Sequence, residues 1–446
     1  MRILILAAVA AVAVPIAAHA QTTPAPGPAV RAMAAGYKAL TVCSALKTAE
    51  AAGGARTLAS VEAHELVGIY PELDGLAREM PVEIGERQVS VAWDEVMPAR
   101  VAVFSPGRGC AIQPVGWTGE SPEMFRPGVR MNAPFVVADP RGNAALLNEA
   151  VQLAFEGGYG EGVNTTAVLV LQADRVVAEE YGEGFGVDTP QRTWSVAKSL
   201  AGTIIGAAVH RGEADVNAPA AIADWSREGD PRAAITLDQL MRMASGLTSD
   251  TAGNRTDALY FGGVGIDEQV TAWPLIAPPG TRYRYANNDT LLAVMAIAPT
   301  FERHAPAELF RRLGMYDTWA ETDWRGNYML SSQVWTTARD LARFGQLYLD
   351  DGVVDGERIL PVGWRDYVSR PSGPQPAGAQ GYGATFWLFN RTEGVPADAI
   401  SANGNRGQYV IIVPSRDIVI VRRGEDPAGN RFDFVAFTRD VLAALD

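Results

Sequence analysis

The chain has 446 residues, 48% of them hydrophobic and 20% charged, which is long enough for two or three domains and too apolar for a disordered protein. A formal net charge of −13 argues against a nucleic-acid binder, which depends on a basic face.

Residues 1–20 read as a secretory signal, with Arg2 as a short positive region, an apolar run from Ile3 to Ala18, and Ala18, His19, Ala20 as a small-x-small cleavage site. The run is short for a bilayer span and no charged stop-transfer cluster follows it, so a stable membrane anchor is not expected. The mature protein is expected in the periplasm or outside the cell. Cys43 and Cys110 are the only cysteines, and under oxidising conditions they are expected to form a disulfide. Two cysteines with no nearby histidine cannot complete a zinc shell, so no metal site is expected.

After a Thr, Pro and Gly-rich spacer, Val30 to Ala52 reads as a helix. Ala99 to Gly116 reads as a hairpin, with Val101, Val103, Cys110 and Ile112 flanking the turn at Pro106 to Gly109. Residues 21–140 thus form a small mixed α and β accessory unit, and the proline-containing stretch Met131 to Gly142 marks its boundary with a second unit, 141–446. That unit opens with a helix, Ala144 to Phe155, and two strands, Ala167 to Gln172 and Arg175 to Tyr181. Trp194 to His210 is a nearly all-apolar helix, hence buried, with Gly202 and Gly206 on a close-packing face. Helical segments dominate as far as residue 375. Strand patterns return at Tyr382 to Asn390, Gln408 to Val413 and Ile418 to Arg422, before a closing helix, Phe432 to Leu445. Strands near both ends with helices between them predict one sheet built from distant segments, with a helical subdomain inserted.

Three short elements carry chemistry. The first is Ser195 and Lys198. The chain writes its positive charge almost wholly as arginine, and Lys198 is its only lysine after Lys47. Arginine keeps its proton, whereas a desolvated amine gives one up near neutral pH. Three-residue spacing puts both side chains on one helical face, so the amine can serve as the base that a serine nucleophile needs. The second is Tyr285 and Asn287. A tyrosine beside a cationic amine has its phenolate favoured and can relay a proton to a leaving group, while the asparagine both donates and accepts. The third is Asn403, Gly404, Asn405, Arg406, Gly407 and Gln408, before the strand that follows. Glycine there lets the strand edge approach a substrate, and the Gln408 amide is the candidate second oxyanion donor beside that of Ser195.

In this order the three elements resemble the serine β-lactamase and penicillin-binding superfamily, and more closely the class C β-lactamase-like hydrolases. These include esterases, D-alanyl-D-alanine peptidases and 6-aminohexanoate-dimer hydrolases. Ala244 to Leu247, Leu313 to Met315, and Thr336 to Gly352 are similar to further segments of that family. The resemblance spans residues 145 to 446. It implies an α+β, transpeptidase-like fold, in which helices flank an antiparallel sheet and an all-helical subdomain is inserted. It also implies roles: Ser195 as acylated nucleophile, Lys198 as its base, Tyr285 as second acid/base group, Asn287 in substrate binding, and the amides of Ser195 and Gln408 as oxyanion hole.

The third motif departs from the family. Where β-lactamases place lysine and many relatives histidine, this chain has Asn405 and Arg406, and His64, His210 and His304 lie elsewhere. An ester or small linear amide is therefore expected as substrate, with Arg406 as the group that attracts an anionic one. The alternatives are a β-lactamase or D,D-peptidase, and a non-catalytic member that binds cell wall or a partner. A Ser-His-Asp hydrolase is poorly matched, because no Gly-x-Ser-x-Gly elbow occurs. No phosphate loop is present, and no cofactor is expected.

Overall fold

The structure, a computed structural model, describes residues 26–68, 70–119, 134–248 and 257–445. The signal read in residues 1–20 and the start of the boundary stretch, Met131 to Ala133, lie outside them.

The N-terminal elements are α1 (Pro28–Ala52), α2 (Leu58–His64), α3 (Pro71–Glu79), β1 (Val82–Ile84), β2 (Gln88–Val91), β3 (Arg100–Ser105) and β4 (Gly109–Ile112). Proline in its first turn and left-handed Gly53 (φ 87°) after its last delimit α1. The four strands form an antiparallel sheet in sequence order, and α1 packs across it. The expected disulfide is present, joining Cys43 in α1 to Cys110 in β4.

Helix α4 (Ala144–Phe155) follows, then β5 (Thr165–Gln172), β6 (Arg175–Tyr181) and β7 (Gln191–Arg192). The long insertion holds α5 (Val196–His210), α6 (Leu237–Met241), α7 (Asp257–Tyr260), α8 (Ile266–Gln269), α9 (Asn287–Ala296) and α10 (Pro306–Arg312). It continues with β8 (Thr318–Ala320), β9 (Val334–Thr336), α11 (Ala338–Leu349), β10 (Val353–Val354), β11 (Glu357–Arg358) and α12 (Trp364–Ser369). The chain closes with β12 (Gly381–Tyr382), β13 (Trp387–Leu388), β14 (Ile400–Gly404), β15 (Gln408–Val413), β16 (Ile418–Gly424) and α13 (Phe434–Ala444).

One antiparallel sheet in the order β12-β13-β14-β15-β16-β5-β6 joins the two ends of this region, as the distant strand patterns predict. Its central strands are buried on both faces, and the period of two sorts their side chains. Val168, Val170, Ile411 and Ile420 belong to the core beneath α4 and α13, while Leu169, Leu171, Ile412 and Val421 belong to the core shared with α5 and α11. Each such aliphatic side chain contributes about 1.5–3 kcal/mol on burial.

One expectation needs correction. The insertion is not all-helical, because β7, β9 and β8 form a three-stranded sheet. The strand character read from Tyr382 to Asn390 is carried by the short hairpin β12-β13. Strands of two or three residues are too short to display a period in sequence. The N-terminal elements also share the larger core with the rest of the chain. Tyr37 of α1 packs its ring 4.8 Å from that of Phe261, and buried Arg100 donates to the Phe261 carbonyl at 2.8 Å.

Candidate active site

The Ser195 backbone is set from both sides. Upstream, the Thr193 amide donates to the Val334 carbonyl at 2.8 Å, extending the β7-β9 pairing to within two residues of the serine. Trp194 then takes a left-handed conformation (φ 50°), sparsely populated for a bulky residue, while the Arg192 guanidinium lies 3.7 Å over its ring. This turn delivers Ser195 as the N-cap of α5, yet its hydroxyl caps no backbone amide and stays available for chemistry. Glycines at 202 and 206 let α5 settle directly against Thr385 and Trp364.

Lys198 sits one turn further on, 1% exposed, and its ammonium has three acceptors: Ser195 Oγ at 3.0 Å, Asn287 Oδ1 at 2.5 Å and the Ser331 carbonyl at 2.8 Å. Desolvation lowers its pKa to about 7. Asn287 thus holds the lysine from the first turn of α9. The Ser331 residue is in turn linked to Tyr260 by a 2.9 Å contact between their hydroxyls.

The Tyr285 ring centre lies 5.0 Å from Lys198 Nζ, and its phenol oxygen is hydrogen-bonded by the Ser195 and Trp387 side chains. The expected phenolate is not favoured. Burial raises the Tyr285 pKa, and the hydrogen bonds only partly offset it. The neighbouring amine has itself been pushed towards neutrality, so little positive charge remains to stabilise a phenolate. Asp289, two residues after Asn287, accepts from Ser245 Oγ at 2.9 Å and so ties the Ala244 to Leu247 segment to this helix.

The third element is arranged differently from its reading in sequence. Strand β13 pairs only with Ile400 and Ser401, so the remainder of β14 forms an open edge, where Asn403 and Gly404, with Asn405 just past the strand end, line the same cavity as Ser195. A Cβ on Gly404 would stand against the Thr193 carbonyl and 3.3 Å from the Ser195 amide nitrogen, so glycine is required for the approach. Gln408, whose backbone amide was the expected second oxyanion donor, belongs to the next strand, where it stands opposite Gly404 and is not among the residues lining the cavity. Its side chain is fully buried and bonded to the Gly424 carbonyl and to Arg423. Gly407 backs onto Arg422 and Asp426. Arg406, expected to attract substrate, is 5% exposed and turned into the protein against Glu425.

Ser195 and Tyr285 open on a cavity of about 830 Å³ with Trp387, Tyr409, Phe432 and Phe434 among its walls. The Tyr409 and Phe434 rings stack at 4.5 Å. Arg431 is the one cation among the described lining residues and is exposed. Sequence reasoning missed Trp387, Ser331 and Arg431, none of which stands in a recognisable motif. The cysteine pair lies on α1 and β4, outside this lining.

The seven-stranded sheet, the helix carrying Ser195 and Lys198, and the cavity at the β14 edge define a hydrolase of the β-lactamase fold. The chain belongs to the β-lactamase family, whose pattern it matches over residues 151–445. It is similar to the 6-aminohexanoate-dimer hydrolase of Paenarthrobacter ureafaciens, 28% identical over 308 residues, covering 59% of this chain and 73% of that one. Among solved structures it is similar to a Bacillus anthracis protein provisionally named a 6-aminohexanoate-dimer hydrolase, with TM-score 0.57 and 22% identity over 70% of this chain and 86% of that chain. A Bacteroides dorei protein provisionally named a β-lactamase gives TM-score 0.56 and 21% identity over 68% and 99%.

Proposed function

We propose that the protein is an exported serine hydrolase that cleaves an ester or a small linear amide through an acyl-enzyme on Ser195. The observation that carries this reading is a fully buried amine with pKa about 7, placed 3.0 Å from the serine hydroxyl. In its neutral form Lys198 takes the Ser195 proton as Oγ attacks the substrate carbonyl carbon. The oxyanion is held by the Ser195 amide and a backbone amide from the Asn403 to Asn405 edge. The bond to the leaving group then breaks, and protonated Tyr285 delivers a proton to the departing oxygen or nitrogen. Water attacks the acyl-enzyme by the reverse path, restoring Ser195 and releasing the acid.

The ester or amide preference is supported by the third motif, because Arg406 faces inward and the motif brings no cation to the cavity. Export is supported by the signal-like sequence of residues 1–20 and by the disulfide.

Intact mass spectrometry of the mature protein with a fluorophosphonate, a penicillin and a p-nitrophenyl ester tests the reading against a Ser195→Ala control. Labelling that requires Ser195, with rapid ester turnover and a long-lived penicilloyl adduct, supports it. Rapid penicillin turnover shifts the assignment to a β-lactamase. A Ser195 that no reagent modifies moves the protein to the non-catalytic binders.

A further inference from the structure

Arg406 occupies the tip of the β14-β15 hairpin in the left-handed region (φ 57°), a conformation uncommon for a long side chain. Its guanidinium makes five hydrogen bonds. Nε donates to the Asp426 carbonyl at 3.1 Å, and Nη1 to the Glu425 carboxylate at 2.5 Å and the His64 carbonyl at 2.7 Å. Nη2 donates to the carbonyls of Val67 at 3.1 Å and Glu425 at 3.0 Å. His64 is the last residue of α2, so the hairpin supplies a donor to the final carbonyl of that helix, one of the groups that intrahelical bonding leaves over.

The same network reaches the other side of the site. Glu425 accepts from Gln191 of β7 at 3.3 Å, and Arg423 donates to the Gln191 carbonyl at 2.8 Å and to Gln408 Oε1 at 2.6 Å. Gln191 lies four residues before Ser195, and Gly404, which abuts the Ser195 amide, lies two residues before Arg406. The two backbone segments that meet at Ser195 are therefore anchored in one buried set of charges, completed by two carbonyls from the N-terminal unit. Burying those charges is costly unless each is fully bonded, so loss of one partner loosens the set as a whole.

We infer that Arg406 is a positioning residue: it fastens the β14-β15 hairpin to the end of α2 and thereby holds the Gly404 edge against Ser195. The N-terminal unit is then a working part of the active site, although none of the described residues 28–112 lines the cavity. The inference rests on the serine-hydrolase reading for its effect on rate, and stands apart from it for its effect on the hairpin.

Arg406→Ala and Arg406→Lys, made in the full mature chain, test it by ester kinetics below the melting temperature together with hydrogen exchange. The alanine variant is expected to lose about 100-fold in kcat with KM within about threefold of wild type, as for displacement of an oxyanion donor. Exchange is expected to quicken at both residues 403–408 and 62–67, and lysine, which keeps the charge but not the fork, to recover part of kcat. If the alanine variant does not fold, the lysine variant carries the same comparison. A folded alanine variant with kcat within about threefold of wild type, or a folded variant of either kind with unchanged exchange at 403–408, overturns the inference. A wild type that neither turns over ester nor reacts with fluorophosphonate overturns the hydrolase reading, and the exchange measurement still decides the coupling.

Discussion

Lys198 donates to Ser195 Oγ at 3.0 Å from one turn further along the same buried helix, and Asn287, eighty-nine residues away in sequence, holds the other side of its ammonium. The pair is local, while the environment that makes the amine a base is assembled from elsewhere. Because burial places the Lys198 pKa at about 7, the neutral, active form of the base accumulates as pH rises through that value. Ester kcat/KM is expected to rise about tenfold per pH unit below pH 7 and to level off above it. Lys198→Arg, whose charge persists at every accessible pH, is expected to fall about 1,000-fold and to lose this limb of the profile. A flat wild-type profile from pH 5 to 8 would contradict the base assignment.

Tyr285 keeps its proton because burial outweighs the hydrogen bonds that favour its phenolate. As the donor to the leaving group, it matters most for a poor one. Tyr285→Phe is expected to lose about 100-fold or more in kcat on an alkyl ester or anilide, and much less on a p-nitrophenyl ester, whose leaving group departs without help. Equal losses on both substrates would argue for a purely structural phenol.

Gly404 lies closer to the Thr193 carbonyl than a side chain permits, and it stands beside the Ser195 amide. Gly404→Ala is expected to push the β14 edge away from Ser195 and lower kcat by about 100-fold, the scale of losing one oxyanion donor. Steady-state kinetics at matched thermal stability checks this, with KM the less affected parameter.

Arg431 supplies the cation that Arg406 withholds from the cavity. For esters carrying a terminal carboxylate, Arg431→Gln is expected to raise KM about three- to tenfold, with neutral esters unaffected, since an exposed charge contributes only modestly. Identical KM changes for both substrates would remove charge recognition as the cause.

The disulfide closes a loop of 67 residues within the N-terminal unit, away from the cavity lining. Replacing Cys43 and Cys110 by serine is expected to cost about 4 kcal/mol of stability on the chain-entropy account. Denaturant unfolding measures the loss, and kcat of the folded variant at low temperature is expected to stay close to that of wild type.

Elements whose cause is local were readable in advance. The bounds of α4 follow its own apolar spacing, and the β5-β6 hairpin follows a β-branched apolar run punctuated at Ala173 and Asp174. Trp387 gave no such signal, because its strand is two residues long and its partner in the site, Tyr285, lies 102 positions earlier. The Arg406 error has a similar origin: composition showed a cation at the third motif, but only the left-handed turn there sends the side chain inward.

What the sequence by itself determined was the chemistry on offer: a serine and a rare lysine one helical turn apart, a tyrosine with its asparagine, and a glycine-bearing strand. Helical spacing and the acidity of an amine are properties of a few consecutive residues, so they survive without knowledge of the fold. Only the tertiary structure decided that Asn287 and Ser331 bind the lysine, that β14 rather than β15 faces Ser195, and that Arg406 points towards α2. Those outcomes depend on which strand lies at an open edge and which groups lose water together, and both are set by contacts between residues far apart in the chain.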